Sequence, residues 1–424
     1  MDTFQIIALL TVLAAAFGYI NFRFLKLPTT IGLMAISLVM SLLIFVIDDL
    51  VPGVLSEAKA FIGSIDLTEV ILDIMLSFLL FAGALHTDYE KLKRYLAPII
   101  SLASIGVILS AVLVAGATQL ILGLFNLEIA FMHLLLFGVL ISPTDPIAVL
   151  GILKEAKVPK KLEIKIAGES LFNDGVAVVV FIVLLSLASN ADSVTTLDVL
   201  KLFGIEVIGG LVFGWLMGYF AFRLMRSISN YEVEVLITLA LVMATHVIAV
   251  YLHMSAPLAV VVAGLLIGNR ARETAMEGKT ELYIDKFWEL VDLLLNAILF
   301  VLIGLELLLV EYHVNWLLAG LMLIPLVVLA RFAAVWPAVQ IFQKRLELLP
   351  GTATILTWGG LRGGISIALA LSLPAEMGRE LILSLTYTIV VFSILVQGLT
   401  IKNVAQKYLG SPQSGSDPAI NEKN

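Results

Sequence analysis

The chain has 424 residues, 60% of them hydrophobic and 14% charged, where soluble domains average about 45–50% and about 25%. That composition excludes a disordered chain, a coiled coil and a soluble globule. The absence of cysteine excludes disulfide frameworks, cysteine zinc sites, thiol nucleophiles and iron–sulfur ligation together, and 26 Lys and Arg against 33 Asp and Glu leave no basic face for nucleic acid.

A membrane-crossing helix needs roughly 20 apolar residues. Thirteen such runs follow one another, at 3–24, 28–47, 67–86, 96–123, 129–153, 162–189, 197–222, 233–252, 255–269, 288–310, 314–342, 351–374 and 380–401, the ninth being short. They predict an all-α polytopic membrane protein of about 13 transmembrane helices. The membrane domain covers 1–401, and a polar tail over 402–424, containing SPQSGSDP and NEKN, is expected to be disordered. The first run has no basic residue before it and Arg23 and Lys26 after it, the reverse of a secretory leader, so it is expected to remain as a helix. Twenty-one Lys and Arg fall in one alternating set of loops and only Lys59, Lys201 and Arg379 in the other. The excess of cytoplasmic positive charge then places the C-terminus in the cytoplasm and the N-terminus outside, in a cell (inner) membrane.

The two remaining basic residues, Arg331 and Arg362, lie within spans, as do Asp145, Glu169 and Asp174, with Glu206 in the first part of the seventh. A charge at mid-bilayer costs about 2.5–3.5 kcal/mol on insertion scales. One isolated acid is read equally well as half of a structural ion pair. A cluster on spans that are themselves irregular is read as a transport site.

The fifth span, LLLFGVLISPTDPIAVLGIL, has Pro143 and Pro146 enclosing Thr144 and Asp145. Each proline removes an N–H and disfavours helix at the residue before it, so the span is expected to unwind near mid-membrane. In the twelfth span, TWGGLRGGISIALAL, Gly359, Gly360, Gly363 and Gly364 flank Arg362 and predict a second break. Glycines alone would be read as close helix packing, but that reading does not account for an arginine among them. The breaks are seven spans apart, so the two spans run in opposite directions. Spans 1–6 and 8–13 then pair as inverted six-helix repeats, with span 7 as connector and two discontinuous helices crossing at mid-membrane, as in secondary transporters with a midplane substrate site.

The sixth span carries GESLFNDGVAVVV. Glu169 and Asn173 are four residues apart and share a helix face, and Ser170 and Asp174 form the neighbouring stripe. Asp174 lies about 19 Å along the helix from Lys161, near the bilayer centre. One carboxylate, an amide oxygen and hydroxyl oxygens suit a small cation with partly stripped water, and are too poor in carboxylates for calcium. His246, His253 and the glycine-rich stretch 203–218 are read as packing or interfacial features. Glu206 is read as bonding to a neighbouring helix in preference to lining a water funnel.

On the motifs SPTDPIAV at 142–149, GESLFNDG at 168–175 and GGLRGGISIALAL at 359–371, in that order and on those spans, the chain resembles the NhaP-type sodium–proton antiporters, relatives of the animal sodium–proton exchangers. The resemblance covers essentially all thirteen spans. It implies a homodimer, with a core (about 96–189 and 314–401) holding the crossed broken helices and sliding against an interface bundle (about 3–86 and 197–310). It makes Asp174 the carboxylate that binds either cation or proton, Asn173 its neutral neighbour, Thr144 and Ser170 donors of oxygen to the transported sodium, and Asp145 a residue of the crossing. It pairs Glu169 with Arg362, a buried ion pair joining spans 6 and 12, while Arg331 is expected to offset Asp145 or the ends of the broken helices. One departure stands out. Some relatives carry an acid on the third span after a Leu-Leu-Phe run, where this chain reads LLFAGALHTD, with Asp73 and Asp88 a turn or more away.

A buried carboxylate that travels only when loaded with Na⁺ or H⁺ couples the two ions, because the bare charge faces a desolvation barrier. Asn173 being neutral, each crossing carries the same charge, and exchange is expected to be one-for-one and electroneutral. The alternatives are a K⁺/H⁺ antiporter or a cation channel. A channel needs a continuous polar pore or a ring of filter residues in place of one compact polar knot. An intramembrane enzyme needs Ser/His, paired aspartates or HExxH. The expectation is therefore a non-enzymatic transporter with membrane lipid around it, no cofactor, and Na⁺ and H⁺ as transported substrates.

Overall fold

The computed structural model describes residues 3–66, 68–145, 149, 160–189, 201, 203–271, 278–311, 313–346 and 351–409. Among them all regular structure is helical. In chain order the helices are α1 (Thr3–Ile20, continuing through a wide π-type turn, Asn21–Leu25), α2 (Thr29–Asp48), α3 (Val54–Gly63) and α4 (Glu69–Met75 running into Leu76–Leu85). There follow α5 (Tyr89–Arg94), α6 (Leu96–Leu124), α7 (Phe131–Leu140), α8 (Lys160–Ser189) and α9 (Ile205–Met225). Next come α10 (Tyr231–Tyr251), α11 (Ala256–Leu266, then Ile267–Ala271), α12 (Gly278–Glu306) and α13 (Val314–Leu346). The last are α14 (Thr352–Trp358), α15 (Gly364–Leu371) and α16, which runs from Arg379–Phe392 through Ser393–Gln397 to Gly398–Leu409.

Helices dominate because no other open structure satisfies its own backbone in hydrocarbon. Local signals start them: the Asn230 side chain accepts from the N–H groups of Glu232 (3.0 Å) and Val233 (3.1 Å) to cap α10, and Ser255 caps α11 ahead of Pro257. Among the described residues nine helices are long and apolar enough to span a membrane, with shorter apolar helices at Phe131–Leu140 and Ala256–Asn269. The count falls below thirteen for a physical reason. The fifth and twelfth runs contain breaks, so each yields short helices in place of one long one, and Pro146 and the rest of the fifth run to 153, apart from Val149, lie outside the described residues; the third run forms a helix over 69–85, and the ninth is the short helix Ala256–Asn269.

Two short helices, α3 and α5, are additional to the thirteen runs. At the other end, α16 continues to Leu409, into the stretch expected to be a disordered tail. Ile401, Ala405 and Tyr408 form one helical stripe there. Ile401 and Ala405 are fully buried, and Tyr408 packs on Gly351 at the start of α14.

The helices pack in two groups. One contains α6, α7, α8, α13, α14, α15 and α16; the other contains α1, α2, α4, α9, α10, α11 and α12. They meet where α8 touches α4, α9 and α11, where α15 touches α4 and α12, and where α16 touches α2. At the first junction a Cβ on Gly175 would come within 2.7 Å of Leu258 on α11. At the second, Leu299 and Ile303 of α12 lie against Gly364.

Candidate functional site

The α7 helix stops at Leu140, and α14 and α15 are separated by the stretch 359–363. These two breaks touch: the Asp145 N–H donates to the Leu361 carbonyl at 2.7 Å. The contact is close enough that glycine is required beside it. A Cβ on Gly363 would sit 2.8 Å from Asp145 Oδ2, and one on Gly360 would sit 3.1 Å from Thr144 Cγ2 and 3.2 Å from Arg331 Nε. The glycines that break the twelfth run therefore also admit the fifth.

Pro146 has no N–H to offer the Ser142 carbonyl four residues before it. Arg362 supplies the missing donor. Its Nη1 donates to the Ser142 carbonyl and, at 2.9 Å, to that of Pro143. Its own N–H donates to Ser393 Oγ (3.0 Å), which in turn donates to Gln397 Oε1 (2.7 Å). The guanidinium is thus the cap of the broken helix, held from behind by α16.

Glu169 pairs with Arg331 of α13, both side chains being 2% exposed, and this corrects the expected pairing with Arg362. The reason is positional. Arg362 sits inside the break, where it donates to the freed carbonyls, whereas Arg331 reaches Glu169 from a continuous helix. The Nε and Nη1 of Arg331 have no hydrogen-bond partner among the described residues, and Arg331 lines a small cavity with Thr357, Gly360, Arg362 and Gln397.

On α8, one turn beyond Glu169, the polar atoms converge on the break. Asn173 Nδ2 donates to Thr144 Oγ1 at 2.9 Å, and Thr144 Oγ1 and Ser170 Oγ share a hydrogen bond of 3.0 Å. Asn173 is fully buried, and Thr144, Ser170 and Asp174 are 2%, 2% and 4% exposed. Asp174 follows Asn173 directly on α8 and lies one helical turn from Ser170. A buried carboxylate with hydroxyl and amide oxygens on the same stretch of helix makes a weakly charged oxygen site. Among the described residues no three His, Asp or Glu side chains gather as a divalent metal would require.

Opposite the departure noted on the third span, Ala82 and Ala84 are buried and Gly83 faces Leu171, its Cβ position 3.7 Å from Leu171 Cδ1. This part of α4 presents no carboxylate. His246 Nδ1 shares a 2.8 Å hydrogen bond with Ser77 Oγ, tying α10 to α4, and the Glu206 carbonyl accepts from the Ser255 N–H at 3.1 Å. Sequence reasoning missed Ser393 and Gln397. Their signal was a hydroxyl and an amide four residues apart in an otherwise apolar span.

The profile of the family described as "Sodium/hydrogen exchanger, transmembrane" matches residues 11–407. The chain belongs to the sodium/hydrogen exchanger family. Within that family it is 47% identical over 421 residues to the Na(+)/H(+) antiporter NhaP of Pseudomonas aeruginosa, covering 98% of this chain and 99% of that one. It is 34% identical to the Na(+)/H(+) antiporter NhaH of Halobacillus dabanensis, covering 91% and 93%. The exchanger fold is also that of the sodium proton antiporter MjNhaP1 from Methanocaldococcus jannaschii, solved at pH 8, with a TM-score of 0.74, 21% identity, and 95% and 98% of the two chains covered.

Proposed function

We propose that this exchanger carries Na⁺ against H⁺ one-for-one, by alternating access, with both ions competing for Asp174. The observation that carries the reading is the placement of one buried carboxylate beside the Thr144–Ser170–Asn173 oxygen cluster, at the contact of two broken helices. The names of the relatives, Na(+)/H(+) antiporters, support the choice of ions. Thr144 and Ser170 supply oxygens to sodium, Asn173 positions Thr144, and Asp145 fixes the crossing through its backbone. Arg362 and the Glu169–Arg331 pair hold the site's walls.

Chemistry follows from charge. Asp174 with a proton or with Na⁺ is neutral, and Asn173 adds no charge, so either loaded form crosses at equal electrical cost while the bare carboxylate pays desolvation. The group of α6–α8 and α13–α16 is the moving core and the other group the interface bundle, assembled as a homodimer in the cell membrane with the N-terminus outside and the C-terminus inside.

Proteoliposomes loaded with an internal pH dye test this. Acid-loaded vesicles alkalinise on adding Na⁺, at a rate unchanged when potassium and valinomycin clamp the voltage, and Asp174→Asn abolishes the response. A response to K⁺ in place of Na⁺ would support a K⁺/H⁺ antiporter, and a rate that follows the clamped voltage would support a channel.

A further inference from the structure

We infer that Glu306 is a second monovalent-cation-binding carboxylate, an entry station on the ion route, distinct from Asp174; the inference rests on the antiport reading above.

Glu306 is the last residue of α12 and is 1% exposed. Both of its carboxylate oxygens are closed to solvent and have no hydrogen-bond partner among the described residues. Leu308 and Val310, both buried, follow it in the turn that ends α12, and the N–H groups of Leu309 and Val310 return to the Glu306 carbonyl at 2.9 and 3.3 Å. Burying an unpaired acid costs folding free energy and returns nothing to packing. A leucine would fill such a place at no such cost, so the carboxylate is unexplained by the fold alone.

Its position on α12 supplies the explanation. Asp292, Asn296, Leu299, Ile303 and Glu306 fall on one stripe of that helix, at spacings of four, three, four and three residues. In the middle of the stripe, Leu299 and Ile303 lie against Gly364, where α15 begins beside the crossing. Glu306 is about 10 Å along the axis from Leu299. About the same distance in the other direction is Asp292, whose carboxylate and carbonyl accept from Asn296 Nδ2 at 3.1 and 2.8 Å. Asn296 is 4% exposed, and its Oδ1 is buried without a partner among the described residues. The helix that walls the crossing thus carries buried oxygen without a donor among the described residues on both sides of Leu299 and Ile303, at Asn296 Oδ1 and at the Glu306 carboxylate, while Asp292 is half-buried. Oxygens that can only accept select a cation, and a single carboxylate suits a monovalent one.

The test is Glu306→Gln, with Glu306→Asp as the second variant, in vesicles where half-saturating Na⁺ is measured separately from each side of the membrane. Glu306→Gln is expected to raise half-saturating Na⁺ about tenfold from one side and leave the other side unchanged, with thermal unfolding undiminished. Glu306→Asp shifts the same side by less, and serves alone if the glutamine variant accumulates too poorly. Unchanged affinity on both sides, equal shifts on both, or a loss explained wholly by less folded protein would overturn the inference. Wild-type protein that exchanges no Na⁺ for H⁺ would instead overturn the antiport reading.

Discussion

The ion pair between Glu169 and Arg331 makes a demanding prediction. Each side chain is 2% exposed, and the pair bridges α8 and α13 beside the site. Arg331→Met leaves Glu169 buried without its partner, and breaking a buried pair in this way costs about 3–5 kcal/mol. Part of the guanidinium is already unsatisfied at Nε and Nη1, which places the expected loss at the lower end of that range. The double variant Glu169→Gln with Arg331→Met removes both charges and recovers most of the stability. A double-mutant cycle, read by equilibrium unfolding in mixed micelles, is expected to show coupling toward the top of the usual range of about 0.5–3 kcal/mol. The same cycle between Glu169 and Arg362 is expected to show markedly less, because Arg362 is committed to the Ser142 and Pro143 carbonyls. Strong coupling of Glu169 with Arg362 and weak coupling with Arg331 would refute the reasoning.

Arg362→Gln frees the Ser142 and Pro143 carbonyls, at about 1–3 kcal/mol for each buried group left unsatisfied, and lowers the thermal midpoint even where Glu169 stays paired. Gly363→Ala brings a Cβ within 2.8 Å of Asp145 Oδ2, so transport falls while the helical circular-dichroism signal stays native. Thr144→Val keeps shape but removes the acceptor of Asn173 Nδ2, and is expected to raise half-saturating Na⁺ about tenfold with little change in yield. Asn173→Asp adds a charge at the site, and exchange in vesicles is expected to become sensitive to an imposed voltage.

The two helix breaks were legible because proline and glycine act on their own backbone, wherever the chain later packs. Ser170 and Asn173 could be placed on neighbouring stripes of one helix, and Thr144, at a break, joined them through the family resemblance. The partner of Glu169 was not legible. Two arginines were available, and the choice depended on which acceptors each guanidinium meets, a property of four helices assembled together. Likewise, the extension of α16 was hidden by Lys402, Asn403, Gln406 and Lys407, polar neighbours that mask the Ile401–Ala405–Tyr408 stripe until α14 is in place. Glu306 was passed over because it stands near the end of a run, where an acid ordinarily meets water. Its burial comes from the turn that follows.

The most direct measurement is half-saturating Na⁺ as a function of proton concentration in the purified exchanger. If one carboxylate accepts either ion and never both, half-saturating Na⁺ rises in proportion to proton concentration on the acid side of the profile, while the maximal rate at saturating Na⁺ holds constant. A half-saturating concentration independent of pH, with only the maximal rate changing, would show the two ions bound at once and contradict the account.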